Sequence, residues 1–378
     1  MPTDLPLHRP MLGEAEIEAV TKVLKSGFLV QGPRVAEFEA GLAEILGLKE
    51  VVACSSGTAA LHLALVALGC GPGDEVIVPA FGFPATANAV ELCGARAIAA
   101  DIDPEHMALS VASVEAVASS RCIGILPVHP FGIPAPMKRL SEYAKERDWW
   151  IIEDAACALG TSRGRGWCQG EHPVCLSFHP RKTVTTGEGG AVGVNDPKLA
   201  ERLRELRNHG IAADGVDRGW SRFTGVGFNY RMTDLAAAIG VAQLERLEGF
   251  VAQRRKVIAW YREHLKSNPG IRWPEGYNQE ELSTQSMVVE VLPPSDRDAL
   301  IHTLSAQGIY TTIGGYGLAS QPFWTERDGL KPSDYPVATR MAQGSLTLPL
   351  THEMTEADVR RVAKALHTAI HEREPDQS

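Results

Sequence analysis

The segment VCLSFHPRKTVTTGEGGAVGVND, residues 174–196, decides the fold. It opens on an apolar run (Val174 to Phe178), passes through a turn rich in hydroxyls and glycine, and closes on a second apolar run (Gly190 to Val194). Two short apolar runs bounded by turn residues read as buried strands. The GEGG core invites comparison with a dinucleotide-binding loop. However, Val192 stands where that pattern needs its last glycine, and a strand follows where a helix is required, so the Rossmann reading fails.

Working outward, the preceding runs VVAC (51–54), EVIVPAF (75–81), ARAIAAD (95–101), CIGILPV (122–128) and WWIIED (149–154) have the same character. Helical periodicity separates them, as in Thr58 to Leu68 and Met137 to Arg147. Strands apolar on both faces and joined by helices predict an α/β fold with a mostly parallel, doubly wound sheet. After Val194 the pattern changes: one long amphipathic helix is expected over Thr233 to Leu265, then a mixed α+β region with MVVEVL (287–292), a helix from Arg297 to Gln307 and a last helix from Glu356 to Ile370. At 378 residues two domains are expected, a large one over 1–248 and a smaller C-terminal α+β domain over 249–378.

Asp plus Glu number 46 against 37 Lys plus Arg, a formal charge of −9, which argues against a phosphate-backbone binder. The opening residues show no basic region followed by an apolar core, and the most apolar stretch, Val76 to Val90, is broken by Pro79 and Pro84. No membrane partner is expected. Seven cysteines, none in a Cys-x-x-Cys pair, suggest neither a disulfide framework nor a metal site and fit a reducing cytoplasm. His62, His129 and His179 have no ligand-set spacing and read as packed or solvated histidines.

Three strand ends carry chemistry. In SSGTAALHLAL (55–65), Ser55, Ser56 and Thr58 offer hydroxyls and Gly57 lets the backbone approach closely at a helix start; this suits a phosphate, and equally an ordinary helix cap. In WWIIEDAACALG (149–160), Glu153 and Asp154 stand at the carboxyl end of a strand, where open α/β sheets bind ligands; either could also cap the next helix. In the opening segment Lys182 follows a buried strand and Arg181, a setting that favours a neutral, nucleophilic amine over a solvated one. A phosphate, a ring nitrogen kept protonated by an acid and a carbonyl held by an amine are together the demands of pyridoxal 5′-phosphate (PLP).

Taken in order, SGFLVQGPRVAEFEAGLAEILG (26–47), SSGTAALHLAL, GDEVIVPAFGFPATANAV (73–90), PVHPFGIPAPM (127–137), IIEDAACALG (151–160), SFHPRKTVTTGEGGAV (177–192), GFNYRMTDLAAAIGVAQLERL (227–247) and LTLPL (346–350) resemble the DegT/DnrJ/EryC1/StrS family of fold-type I PLP enzymes. The resemblance implies an aminotransferase moving an amino group from an amino acid, glutamate or glutamine, to a keto sugar, most often nucleotide-linked. A cyclitol ketone and a non-catalytic PLP-binding regulator are the alternatives. It makes Lys182 the Schiff-base lysine and Asp154 the partner of the pyridine nitrogen. Ser56, Gly57, Thr58 and Ser177 fall on the phosphate, and Phe83 on the face of the ring. Relatives that dehydrate sugars carry histidine at the lysine position, so Lys182 favours amino transfer. The resemblance implies a homodimer in which Asn229 completes the neighbour's phosphate site, and it puts Gly27 and Phe28, after Ser26, near the sugar. Two positions depart from the family. Cys157 replaces the Gln or His that touches the phenolic oxygen, and a thiol is a poor donor. The segment GGYGLASQPFW (314–324), with Tyr316, lacks the usual histidine after a tyrosine.

Overall fold

The computed structural model describes residues 4–161, 167–217, 220–274, 276, 282 and 284–371. Its larger sheet runs in the spatial order Arg96–Ala100, Glu75–Pro79, Cys122–Ile125, Trp150–Asp154, Val174–Ser177, Gly190–Val194, Glu50–Cys54. The fourth strand is bent at Ile152 and joins the two halves. Ile151 pairs with Ile125, Asp154 forms a parallel bridge with Val128, and Glu153 and Asp154 pair with Val174 and Cys175. All neighbours are parallel except Gly190–Val194, which runs antiparallel to both flanking strands. The mostly parallel α/β reading therefore holds.

Side-chain alternation explains why these runs are apolar on both faces. In Glu50–Cys54, Val52 and Cys54 enter a core shared with Leu63 of helix Gly57–Ala67 and Leu203 of helix Pro197–Arg207. Val51 and Ala53 face the opposite side, against Phe38 and Leu42 of helix Pro33–Leu46 and Ala237 of helix Asp234–Leu244. Ile77 faces Leu140 of helix Met137–Lys145, while Val76 and Val78 face the other core. Helices thus cover both faces, as a doubly wound sheet requires.

The single helix expected over Thr233 to Leu265 is two helices, Asp234–Leu244 and Leu247–Leu265. The break is a tight turn in which Arg246 N–H donates to the Gln243 carbonyl (3.1 Å). It is clamped by the N-terminal segment: Gln243 Nε2 and Arg246 Nη1 both donate to Glu16 Oε1 (2.6 and 2.9 Å). A partner more than two hundred residues away made this break, so local periodicity carries no trace of it. The second helix leads to an antiparallel sheet ordered Ile271–Arg272, Met287–Val291, Ser345–Leu348, Thr312–Ile313, backed by helices Arg297–Ser305 and Glu356–His371. From this region Tyr316–Gly317 returns to pair with Phe81–Gly82 beside the large sheet. No helix among the described residues is long and apolar enough to cross a membrane.

Candidate active site

Strand Trp150–Asp154 ends on Asp154, which is only 5% exposed. Its Oδ2 accepts from Thr86 Oγ1 (2.7 Å) and its Oδ1 from the Ala156 N–H (3.2 Å). Among the described residues no Lys, Arg or His makes an ion pair with this carboxylate. A buried acid without a cation is costly unless a ligand supplies the positive charge. The protonated nitrogen of a pyridine ring is such a charge. Thr86 lies in helix Ala85–Leu92, three residues after Phe83, and no sequence pattern marked it.

Lys182 closes a turn in which its N–H donates to the His179 carbonyl (2.8 Å), and the Arg181 N–H donates to His179 Nδ1 (3.2 Å). The turn brings Lys182 Nζ to 3.1 Å from Cys157 Sγ, on the loop after Asp154. The lysine is half-buried and has no carboxylate partner among the described residues. Burial, foremost, lowers the His179 pKa; Glu188 opposes it, and the neighbouring Lys182 and Arg181 charges act with burial.

The third component is the start of helix Gly57–Ala67. Ser56 is its N-cap, Oγ accepting from the Ala59 N–H (3.1 Å), and among the described residues no acceptor takes the Gly57 and Thr58 N–H groups. The cap and the phosphate readings are therefore compatible, because the capping hydroxyl keeps its proton to donate. A Cβ on Gly57 would lie 2.8 Å from Ser177 Cβ, and one on Gly190 would overlap the Ser56 carbonyl. Glycine at both positions leaves a cradle between the helix start and Ser177. An unpaired buried acid, an amine and a free helix start fit PLP by their own geometry.

The structure thus gathers Ser56, Gly57, Thr58 and Ser177 at one point and Asp154, Cys157 and Lys182 at another. Phe83 is 72% exposed, with its ring 6.2 Å from that of Tyr316. Gly27, the left-handed C-cap of helix Glu14–Ser26 (φ 76°), and Phe28 lie exposed along the 232–234 segment, as Val30 pairs with Thr233. Asn229 is exposed too, bridged through its backbone to Asn208. None of these three makes a hydrogen bond to the Lys182 group among the described residues. His62 and His129 are structural: His62 packs against the stacked rings of Phe228 and Tyr230, and the wholly buried His129 binds Glu153 Oε2 (3.0 Å).

The chain is 37% identical over 378 residues to GDP-perosamine synthase of Caulobacter vibrioides, covering 97% of this chain and all of that one. Among solved structures it is similar to DesV of S. venezuelae, captured with a ketimine intermediate (32% identity, TM-score 0.88, covering 99% of this chain and 100% of that one). It also resembles a sugar aminotransferase of Streptococcus pneumoniae solved in a PLP form (26% identity, TM-score 0.89, covering 98% and 99%). Residues 10–367 match the description of the DegT/DnrJ/EryC1/StrS aminotransferases, and the chain belongs to that family of PLP-dependent enzymes.

Proposed function

We propose that this enzyme transfers the amino group of an amino acid, glutamate or glutamine, to a ketone on a nucleotide-linked sugar. The carrying observation is a pairing of opposites: among the described residues Asp154 is buried without a cation, and the Lys182 amine stands without a carboxylate. Similarity to an enzyme named for a nucleotide-linked amino sugar supports the acceptor class.

When bound, PLP supplies an electron sink that stabilises negative charge at the donor's α-carbon. Ser56, Gly57, Thr58 and Ser177 hold its phosphate. Asp154, kept in place by Thr86, holds the proton on the ring nitrogen. Lys182 Nζ would be the acid–base group, taking the donor's α-proton and handing a proton back to the cofactor. Cys157 rests against Nζ and limits where the amine can swing. The two half-reactions predict ping-pong kinetics.

The same reading includes a homodimer. Exposed apolar side chains at Phe28, Phe83, Trp220, Phe223 and Val226, together with exposed Asn229, support a surface covered by a second copy, with Asn229 reaching the neighbour's phosphate. The acceptor is tested by mass spectrometry of a panel of nucleotide-linked keto sugars run beside inososes; amination of the inososes alone would overturn the nucleotide-sugar reading. Sedimentation tests the dimer, and recovery of activity on mixing Lys182→Ala with Asn229→Ala protein tests the shared site.

A further inference from the structure

Cys70 and Cys93 stand outside the site described above, at the amino ends of parallel strands whose carboxyl ends face the Asp154 side of the sheet. Helix Gly57–Ala67 is closed by Gly69 in the left-handed region (φ 85°), and the Cys70 N–H then donates back to the Leu65 carbonyl (3.0 Å). Cys93 is the C-cap of helix Ala85–Leu92, its N–H donating to the Val90 carbonyl (3.0 Å) and its Sγ to the Ala89 carbonyl (3.3 Å). Each cysteine leads into one of two adjacent strands, Glu75–Pro79 and Arg96–Ala100, in which Glu75 lies opposite Arg96. The turns before these strands touch. The Arg96 N–H donates to the Asp74 carbonyl (2.9 Å), and a Cβ on Gly94 would lie 3.1 Å from Pro72 Cγ. The topology therefore brings the two thiols together, and they hydrogen-bond to each other.

A third group completes the cluster. His62 hydrogen-bonds to Cys93 and, through Nδ1, to Tyr230 Oη (3.1 Å). A Tyr230 hydroxyl donating to Nδ1 leaves the imidazole proton on the other nitrogen, where it can stabilise a thiolate. Hydrogen bonding with Cys70, foremost, holds the Cys93 thiol below its ordinary value; burial opposes this, and His62 acts with Cys70. Hydrogen bonding with Cys93, foremost, and then burial hold Cys70 above that value. The two differ in access as well, Cys70 being only 7% exposed and Cys93 half-buried. One sulfur thus has the character of a reachable nucleophile and the other of a protected thiol beside it.

We propose that Cys93 and Cys70 are a reversible redox pair, a modification site that closes to an intramolecular disulfide when the protein meets hydrogen peroxide. The Cys93 thiolate attacks one peroxide oxygen, forming an S–O bond while the O–O bond breaks and hydroxide leaves. The Cys70 sulfur then attacks the sulfur of the Cys93 sulfenic acid, forming the S–S bond and expelling a second hydroxide. The two thiol protons convert both hydroxides to water, so the two thiols give up two electrons and one peroxide is reduced to two waters. All seven cysteines are free, which is the reduced state of such a pair. The cross-link would fasten the trailing ends of two packed helices, one starting at the Ser56 cradle and the other carrying Thr86, without using any residue assigned to the cofactor.

The test treats holoenzyme with a small excess of hydrogen peroxide and blocks the remaining thiols with N-ethylmaleimide. Trypsin with a glutamate-specific protease cuts between the two cysteines, at Glu75 and Glu91, so a linked pair of peptides reports the bond, and fragment-ion sequencing separates Cys70 from Cys54. Without reductant the two peptides should be joined within one chain, and dithiothreitol should restore both thiols. Far-UV circular dichroism should be unchanged, because the turns already touch. Cys70→Ala should arrest oxidation at a Cys93 sulfenic acid that dimedone traps, and Cys93→Ser should slow oxidation of Cys70 by at least about tenfold. The wild-type arm decides the matter even where a variant folds poorly. Both thiols still free after peroxide, a link between two chains, Cys93 driven to sulfinic acid with no link, or unfolding as the link forms each overturns the proposal.

Discussion

Replacing Asp154 with asparagine separates what the side chain does for the fold from what it does for the cofactor. The carboxylate is almost fully buried, and its two hydrogen bonds come from Thr86 Oγ1 and the Ala156 N–H. Asparagine preserves both: its oxygen accepts from Ala156, and the Thr86 hydroxyl rotates to accept from Nδ2. The cofactor-free protein loses a desolvated charge and no hydrogen bond, so its stability should change by no more than about 1 kcal/mol, in either direction. The cofactor-bound protein loses a charge-assisted contact to the ring nitrogen, about 2–4 kcal/mol, equivalent to about 30- to 700-fold in PLP affinity. Urea unfolding of both proteins, with and without PLP, reads the two effects together. Wild type at about a hundred times its Kd should gain about 2.7 kcal/mol from PLP, and Asp154→Asn at the same concentration only about 0.1–0.9 kcal/mol. The reasoning fails if the cofactor-free variant is more than about 2 kcal/mol less stable, since Asp154 would then be paired within the chain. It fails equally if PLP stabilises the variant as well as it does wild type.

Lys182→Ala should reduce turnover by at least about a thousandfold and abolish borohydride trapping of the cofactor on the chain, checked by peptide mass spectrometry. Gly57→Ala should weaken PLP binding by about tenfold or more, measured by fluorescence titration, because the new methyl meets Ser177 Cβ at 2.8 Å and neither the strand nor the helix start can give. Acid should destabilise the fold through His8 and His352, both held to about 3 by burial and then by Arg254. In the unfolded chain each protonates near its ordinary value of 6.5, so stability is full above that pH and falls as pH drops from there toward 3, by about 1–2 kcal/mol per group at pH 5. Denaturant midpoints between pH 7.5 and 5 should flatten in His8→Gln and His352→Gln; slopes equal to wild type would count against this assignment.

What the sequence made legible were features whose cause is local. Apolar runs such as Val174 to Phe178 announce strands because both faces are covered, and Ser56, Asp154 and Lys182 are visible because each stands where an apolar run stops. The illegible features are set by partners distant in the chain. Gly190–Val194 is inserted antiparallel between Val174–Ser177 and Glu50–Cys54, a placement that depends on the whole sheet. Thr86 matters only because helix Ala85–Leu92 packs its hydroxyl against Asp154, 68 residues on. Cys157 read as a poor substitute for a hydrogen-bond donor at the ring, yet in the fold its sulfur accepts from Lys182 Nζ. Arg254 reads from sequence as one more basic residue on an amphipathic helix, and only the fold shows that it is buried without a carboxylate among the described residues. The division is physical. Strand ends place Ser56, Asp154 and Lys182, the groups proposed for the cofactor, and the sheet fixes their positions. The groups around the buried Arg254 come from four chain segments: the N-terminal strap at His8, the Lys182 turn, the connector helix, and the loop at Gln285. Such a cluster leaves no pattern in one dimension, which is why Asp154 and Lys182 stand out in the sequence while the surroundings of Arg254 had to wait for the fold.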